Sequence, residues 1–265
     1  MGEGEVDRGL WRKSYGSIPR FPCPRCGTGK LVRKGDIVHH EPRHTTLRLE
    51  EEGWAGNLSE GRFVCMLLCN RTFCGEVVTV AGTYSSHEHF VPVGEDDDHE
   101  AVTDYSYIPY SIRPAPLMIE EPKGLNAEVR THLRKAYDLF WTDLASCANR
   151  LRIVVEYLLD QLGVPQEAVK GNRKSVRLDL AERASLLAVA RPGHEKTLTA
   201  LRYVGNAGSH EAKGEFEDIM DCFDLLEDVL KELIDRRSEK LEEKADRIIA
   251  SKGRPKPQTG EADGK

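Results

Sequence analysis

Two groups of residues in this chain have the types and spacing for chemistry. The first is sulfur: "CPRC" supplies Cys23 and Cys26, and "CMLLCNRTFC" supplies Cys65, Cys69 and Cys74. A tight Cys-x2-Cys turn aims two thiolates at one tetrahedral cation, and a second cluster completes the set. The expected ligands are Cys23, Cys26, Cys69 and Cys74. Cys65 is the alternate; lying between Val64 and Met66, it is equally suited to packing against a small sheet. His39, His40, His44, His87 and His89 are imidazoles that could replace a cysteine. Four sulfur ligands leave no open coordination position, so the expected cofactor is a structural zinc ion that holds the fold.

The second group is "LRYVGNAGSH" (201–210), where Arg202, Asn206 and His210 recur every four residues on one helical stripe interrupted by Gly205 and Gly208. Each glycine costs a helix interior roughly 1 kcal/mol relative to alanine. Such a stripe has a chemical reading: the guanidinium stabilises a phosphoryl group, the imidazole moves the proton of an RNA 2'-hydroxyl, and bare backbone lets a phosphate approach. It has structural readings too. The polar side chains could hydrogen-bond across a bundle to the Arg152 and Glu156 pair while the glycines permit close packing, or Gly205 or Asn206 could cap a helix end.

These residues need elements to position them. "EVVTVAG" (76–82) reads as a strand beside the second cysteine cluster, as a ribbon of short β-hairpins requires. Apolar residues three or four apart from Val129 to Leu162 make one long helix or two nearly collinear ones. Further helices are expected over 176–190, through the 201–210 stretch, and from Gly214, where the apolar stripe ends after Ile234. The fold class is therefore α+β: a small N-terminal β zinc ribbon followed by a four-helix bundle. The expected organisation is a basic N-terminal arm (1–19), the ribbon (20–92), an acidic loop with a proline-rich connector (93–124), the helical domain (125–250) and a disordered tail (251–265).

A net charge of -6 argues against a generally basic nucleic-acid coat, although Arg8 to Arg48 form a locally basic segment. No apolar run approaches the ~20 residues that span a membrane. The start "MGEGEVDRGLWRK" lacks an apolar h-region, and an odd cysteine count with a Cys-x2-Cys pair suits a reducing compartment, so a cytoplasmic location is expected.

"SCANRLRIVVEYLLDQLGV" (146–164) followed by "LRYVGNAGSH" resembles the domain-of-unknown-function 4145 family, and "CPRC" with "LLCNRTFCGEVVTVAG" resembles the zinc ribbon often preceding it. The resemblance implies a HEPN-like helical domain and a prokaryotic setting attached to restriction and phage-defence systems. With the ribbon and the bundle, the expected function is a recognition module that binds RNA, DNA or a defence-system protein, and a homodimer through the helical domain is a further expectation. Many HEPN proteins are metal-independent endoribonucleases, which would make Arg202, Asn206 and His210 catalytic. The nuclease motif's arginine position is Gly205 in this chain, and Arg202 has seven residues between it and His210. A protein-interaction subunit without nucleic-acid contact is the third reading.

Overall fold

The computed structural model describes residues 9–49, 58–93, 99–169, 175–210 and 214–252, and the architecture is α+β. Strands β1 (Leu31–His40), β2 (Leu58–Cys69), β3 (Val77–Pro92) and β4 (His99–Arg113) form an antiparallel meander in the order β1-β2-β3-β4, with the short helix α1 (Arg43–Leu49) between the first two. Strict alternation along β2 buries Phe63, Cys65, Leu67 and Cys69 on one face and exposes Val64 and Met66 on the other.

The sheet is curled. In a flat sheet β1 and β4 would lie about 14 Å apart, three strand spacings. Yet the His39 ring of β1 stacks 5.0 Å from Tyr105 and 5.7 Å from Tyr107 of β4. The bend sits at a register shift after Ala81, where Gly82 faces Pro109. A Cβ at Gly82 would come within 2.7 Å of the Phe63 ring and 2.8 Å of Pro109 Cα, so only glycine lets the strands close there.

Several expectations change at this point. The proline-punctuated 105–122 stretch is not all connector: as far as Arg113 it is the edge strand β4, and beyond it Ala115, Met118 and Ile119 are buried. The acidic residues 94–98 lie outside the described residues, as do 1–8 and 253–265. From Gly9 the basic arm packs onto the molecule. Trp11 and Tyr15 are buried, and Tyr15 exchanges backbone hydrogen bonds of 2.9 and 2.8 Å with Tyr107.

The Val129 to Leu162 periodicity is neither one helix nor a collinear pair. Helices α2 (Ala127–Phe140) and α3 (Leu144–Gln161) fold into an antiparallel hairpin. Cys147 Sγ donates to Ala136 O at 3.3 Å, and Asn126 N donates to Gln161 Oε1 at 3.0 Å at the other end. The break has a local cause: Asp143 caps α3 by accepting from Ser146 N at 3.1 Å, while Trp141 turns inward onto Trp11, Phe21 and Phe140. That aromatic group joins sheet and helices in one continuous core.

After α3 a two-stranded hairpin, β5 (Glu167–Ala168) with β6 (Val176–Arg177), takes the start of the expected 176–190 helix. Helix α4 (Leu180–Ala190) begins at an Asp179/Glu182 capping box. Helix α5 (Glu195–His210) and α6 (Phe216–Leu233) follow, and α6 buries Ile219, Phe223, Leu226 and Leu230 as its spacing predicts. A further helix, α7 (Arg237–Ala250), begins where the apolar stripe ends and is exposed along its described length. The helical region thus has more helices than the four expected.

Candidate metal centre

Two hairpin turns carry the four sulfurs. In the first, Cys23 N donates to Gly29 O at 2.9 Å and Gly27 N to Cys23 O at 3.0 Å; in the second, Cys69 N donates to Glu76 O at 2.9 Å and Gly75 N to Arg71 O at 3.1 Å. Each turn reverses through a left-handed glycine directly after its second cysteine, Gly27 at φ 67° and Gly75 at φ 58°. The turns are tied to each other by Asn70 N to Lys30 O and Lys30 N to Asn70 Oδ1, both 2.9 Å.

The result is a sulfur cage. Cys23 Sγ lies 3.7 Å from Cys74 Sγ, Cys26 Sγ lies 3.7 Å from Cys69 Sγ, and all four sulfurs fall within 4.8 Å of one another. A tetrahedral site with metal–sulfur bonds of about 2.3 Å has sulfur–sulfur edges of about 3.8 Å, so the cage has the size for such an ion. Gly29 makes room for it: a Cβ there would collide with Cys69 Sγ and lie 3.1 Å from Cys26 Sγ. Burial pushes the Cys23 thiol up to about 12 and also raises Cys69. At Cys26 burial acts in the same sense but is outweighed by the Gly29 N–H and the neighbouring thiols, which bring it down to about 6. A central cation is what would let all four carry negative charge together.

Among the described residues this is the one group of three or more cysteine, histidine or acidic side chains with metal-holding geometry. Cys65 is outside it, buried on the concave face of β2 with its thiol raised by burial. His39 Nε2 lies 3.0 Å from Tyr107 Oη inside the aromatic stack, and burial lowers its pKa. His87 and His89 stack on each other at 5.9 Å, and His89 Nδ1 lies 3.7 Å from Asp104.

The glycine-interrupted stripe lies on α5 against α3. A Cβ at Gly205 would meet Arg152 Cβ and come within 3.1 Å of Ala148 O; one at Gly208 would meet Ala145 O and come within 2.9 Å of Ala148 Cβ. The two glycines are where the helices touch. Arg202 and Asn206 flank that line, half-buried. The Arg202 guanidinium lies 4.6 Å from the Tyr203 ring centroid, and its Nε is buried without a hydrogen-bond partner. His210 ends the helix, and its side chain lies outside the described residues. Arg152 donates to Glu156 at 2.5 Å within α3; among the described residues neither Arg202 nor Asn206 joins that pair.

The Arg152–Glu156 pair instead opens onto a cleft of about 720 Å³ with Asp160, Arg177 and Arg183. Arg183, its side chain only 7 % exposed, donates to Asp160 at 2.5 Å and to Val164 O at 3.0 Å. Nothing local marks this arginine, because the residues it pairs with belong to α3 and the turn after it.

Two family models match. Residues 13–110 match Domain of unknown function (DUF8608), and residues 134–251 match Domain of unknown function (DUF4145). No curated protein and no solved structure matches the chain. The matched regions correspond to the curled sheet with its cysteine cage and to the helical region. The class is thus an α+β protein with an N-terminal cysteine cluster able to hold a metal and a C-terminal DUF4145 domain. Among the described residues no helix is long and apolar enough to cross a membrane.

Proposed function

We propose that this chain is a recognition module in which a structural zinc ribbon, held by Cys23, Cys26, Cys69 and Cys74, is joined to a HEPN-like helical domain and binds nucleic acid in a prokaryotic defence system. The observation that carries the reading is the closed cage of four sulfurs, two of its edges 3.7 Å and all within 4.8 Å, which suits a fold-holding ion and offers no vacant position for substrate. When bound, zinc would neutralise the thiolates and lock the two turns together. The residues around them then present a fixed surface. The continuous hydrophobic core supports a single recognition unit. The defence setting rests on the family resemblance.

A second reading, metal-independent endoribonuclease chemistry through Arg202, Asn206 and His210, draws support from the buried, unpartnered Nε of Arg202. The contact of Gly205 and Gly208 with α3 weighs against it, because close helix packing already accounts for both glycines. The experiment is one purification. Elemental analysis should return about one zinc per chain, and anisotropy with labelled RNA and DNA should show salt-dependent binding. RNA products formed in the presence of chelator and lost in His210→Ala would replace the module with the enzyme. Zinc without nucleic-acid binding would leave a protein-interaction subunit.

A further inference from the structure

Beside the first cysteine turn lies a cleft of about 790 Å³ lined by Arg25, Lys30, Arg130 and Arg134; beside α7 lies a second of about 710 Å³ lined by Lys231, Lys240 and Lys244. They share Glu120, Glu121 and Lys123, and so form one trough from the cysteine cage to the last helix. Nine lysines and arginines line it against four carboxylates, an excess of five positive charges, in a chain whose net charge is -6.

Most of those carboxylates are already engaged. Glu121 lies 2.6 Å from Arg134 and 3.4 Å from Arg130, while Lys231 takes Glu227 at 3.2 Å and Glu120 at 3.5 Å; Asp235 is the fourth. Among the described residues Lys30, Lys123, Lys240 and Lys244 have no carboxylate partner. Concentrating unpaired cations along one trough of an acidic protein makes a track for a polyanion.

The end of the trough at the cysteine cage adds a second feature. Phe73, at the tip of the second cysteine turn, is 76 % exposed, and the Arg71 guanidinium lies 5.3 Å from its ring centroid. Arg71 stands against Gly29, between Thr28 and Lys30 on the trough's rim. An exposed ring beside a cationic track suits an unstacked base and offers nothing to a base inside a duplex.

We infer that this trough binds the backbone of a single-stranded nucleic acid, with Lys30, Lys123, Lys240 and Lys244 on the phosphates and Phe73 stacking on a base at the end nearest the cysteine cage. The inference rests on the nucleic-acid reading above and gives it a location. Each phosphate contact contributes a salt slope of about 0.7 for a single strand, and each base stack is worth about 1–3 kcal/mol, roughly five- to 150-fold in affinity.

The test is fluorescence anisotropy on the full, zinc-loaded chain with labelled oligouridine, oligothymidine and a duplex of equal length, across a salt series. Lys123→Glu/Lys240→Glu/Lys244→Glu should weaken single-strand binding at least tenfold and flatten the log–log salt slope by about 2. Phe73→Ala should weaken single strands about fivefold or more and leave the duplex unchanged. Lys196→Glu, on the exposed face of α5, should match wild type. All these side chains are exposed, and thermal melts verify that the variants fold. If wild type binds strands but the triple variant binds equally well, the trough is wrong and the nucleic-acid reading survives. If wild type binds neither single strand nor duplex, both fall. Equal preference for duplex, or equal competition by polyglutamate, overturns the single-strand assignment.

Discussion

The two halves of the molecule close their ends by different means. The helical region is held by apolar stripes: Val129, Leu133, Val155, Leu158, Phe223 and Leu230 are all fully buried, and caps such as Asn126 and Asp143 finish the helices. The sheet has a comparable interior in Phe63, Leu67, Val80 and Ile112, but its cysteine end is two turns joined by a pair of hydrogen bonds between Lys30 and Asn70 and by four sulfurs. An end built of turns leans on a cross-link where a helix end needs only a cap.

The sharpest way to break this contrast is at the cage. Removing two ligands with Cys23→Ala/Cys74→Ala should abolish zinc retention and strip amide protection from the turns and the adjoining ends of β2 and β3, with α3 and α5 still protected in hydrogen exchange. Structural zinc sites contribute on the order of 10 kcal/mol of binding free energy at neutral pH, so the local effect should be the largest of any substitution. Retained zinc or an intact sheet would remove the distinction. Uniform loss of protection would instead mean that the aromatic junction makes both halves one cooperative unit.

A smaller effect, confined to the helices, is expected from Gly208→Val. Helix propensity alone favours replacing glycine, but the added carbons would press on Ala145 and Ala148 of α3. A net destabilisation of about 1–3 kcal/mol should appear in urea unfolding, with zinc content unchanged. A stabilised variant would show that α5 can move off α3 freely.

The smallest effect concerns pH. His132 Nδ1 lies 3.0 Å from Arg150 Nη1, and the imidazole stacks on Tyr157 at 4.2 Å. Burial first, then the Arg150 and Lys135 charges, lowers its pKa below the usual value near 6.5. The unfolded chain therefore takes up this proton first. The histidine's contribution is complete above about pH 6.5 and is lost as pH falls toward the depressed value. His132→Asn should flatten the acid limb of helical stability, by an amount kept small because the ring is partly exposed to solvent. An unchanged limb would assign the acid sensitivity elsewhere.

Where local chemistry is decisive, the sequence by itself settled a good deal. The Cys-x2-Cys pair and the second cluster implied a shared site because turn geometry is local, and Cys23, Cys26, Cys69 and Cys74 do converge. The three-four spacing from Phe216 to Leu233 specified an amphipathic helix for the same reason. The helical periodicity from Val129 to Leu162 was legible too, but not the fold-back at Asp143: both arrangements bury the same stripe, and the choice depends on Trp141 meeting Trp11 and Phe21 from distant sequence. The curl of the sheet, and the pairing with β3 that makes β4 of an expected connector, are equally nonlocal. In sequence Gly205 and Gly208 fit a phosphate approach, a cap or a packing line alike; only the folded chain sets Ala145, Ala148 and Arg152 of α3 opposite them. The trough lies furthest from the sequence. Lys30, Lys123 and Lys240 share no local pattern, and only the folded chain brings their charges onto one surface.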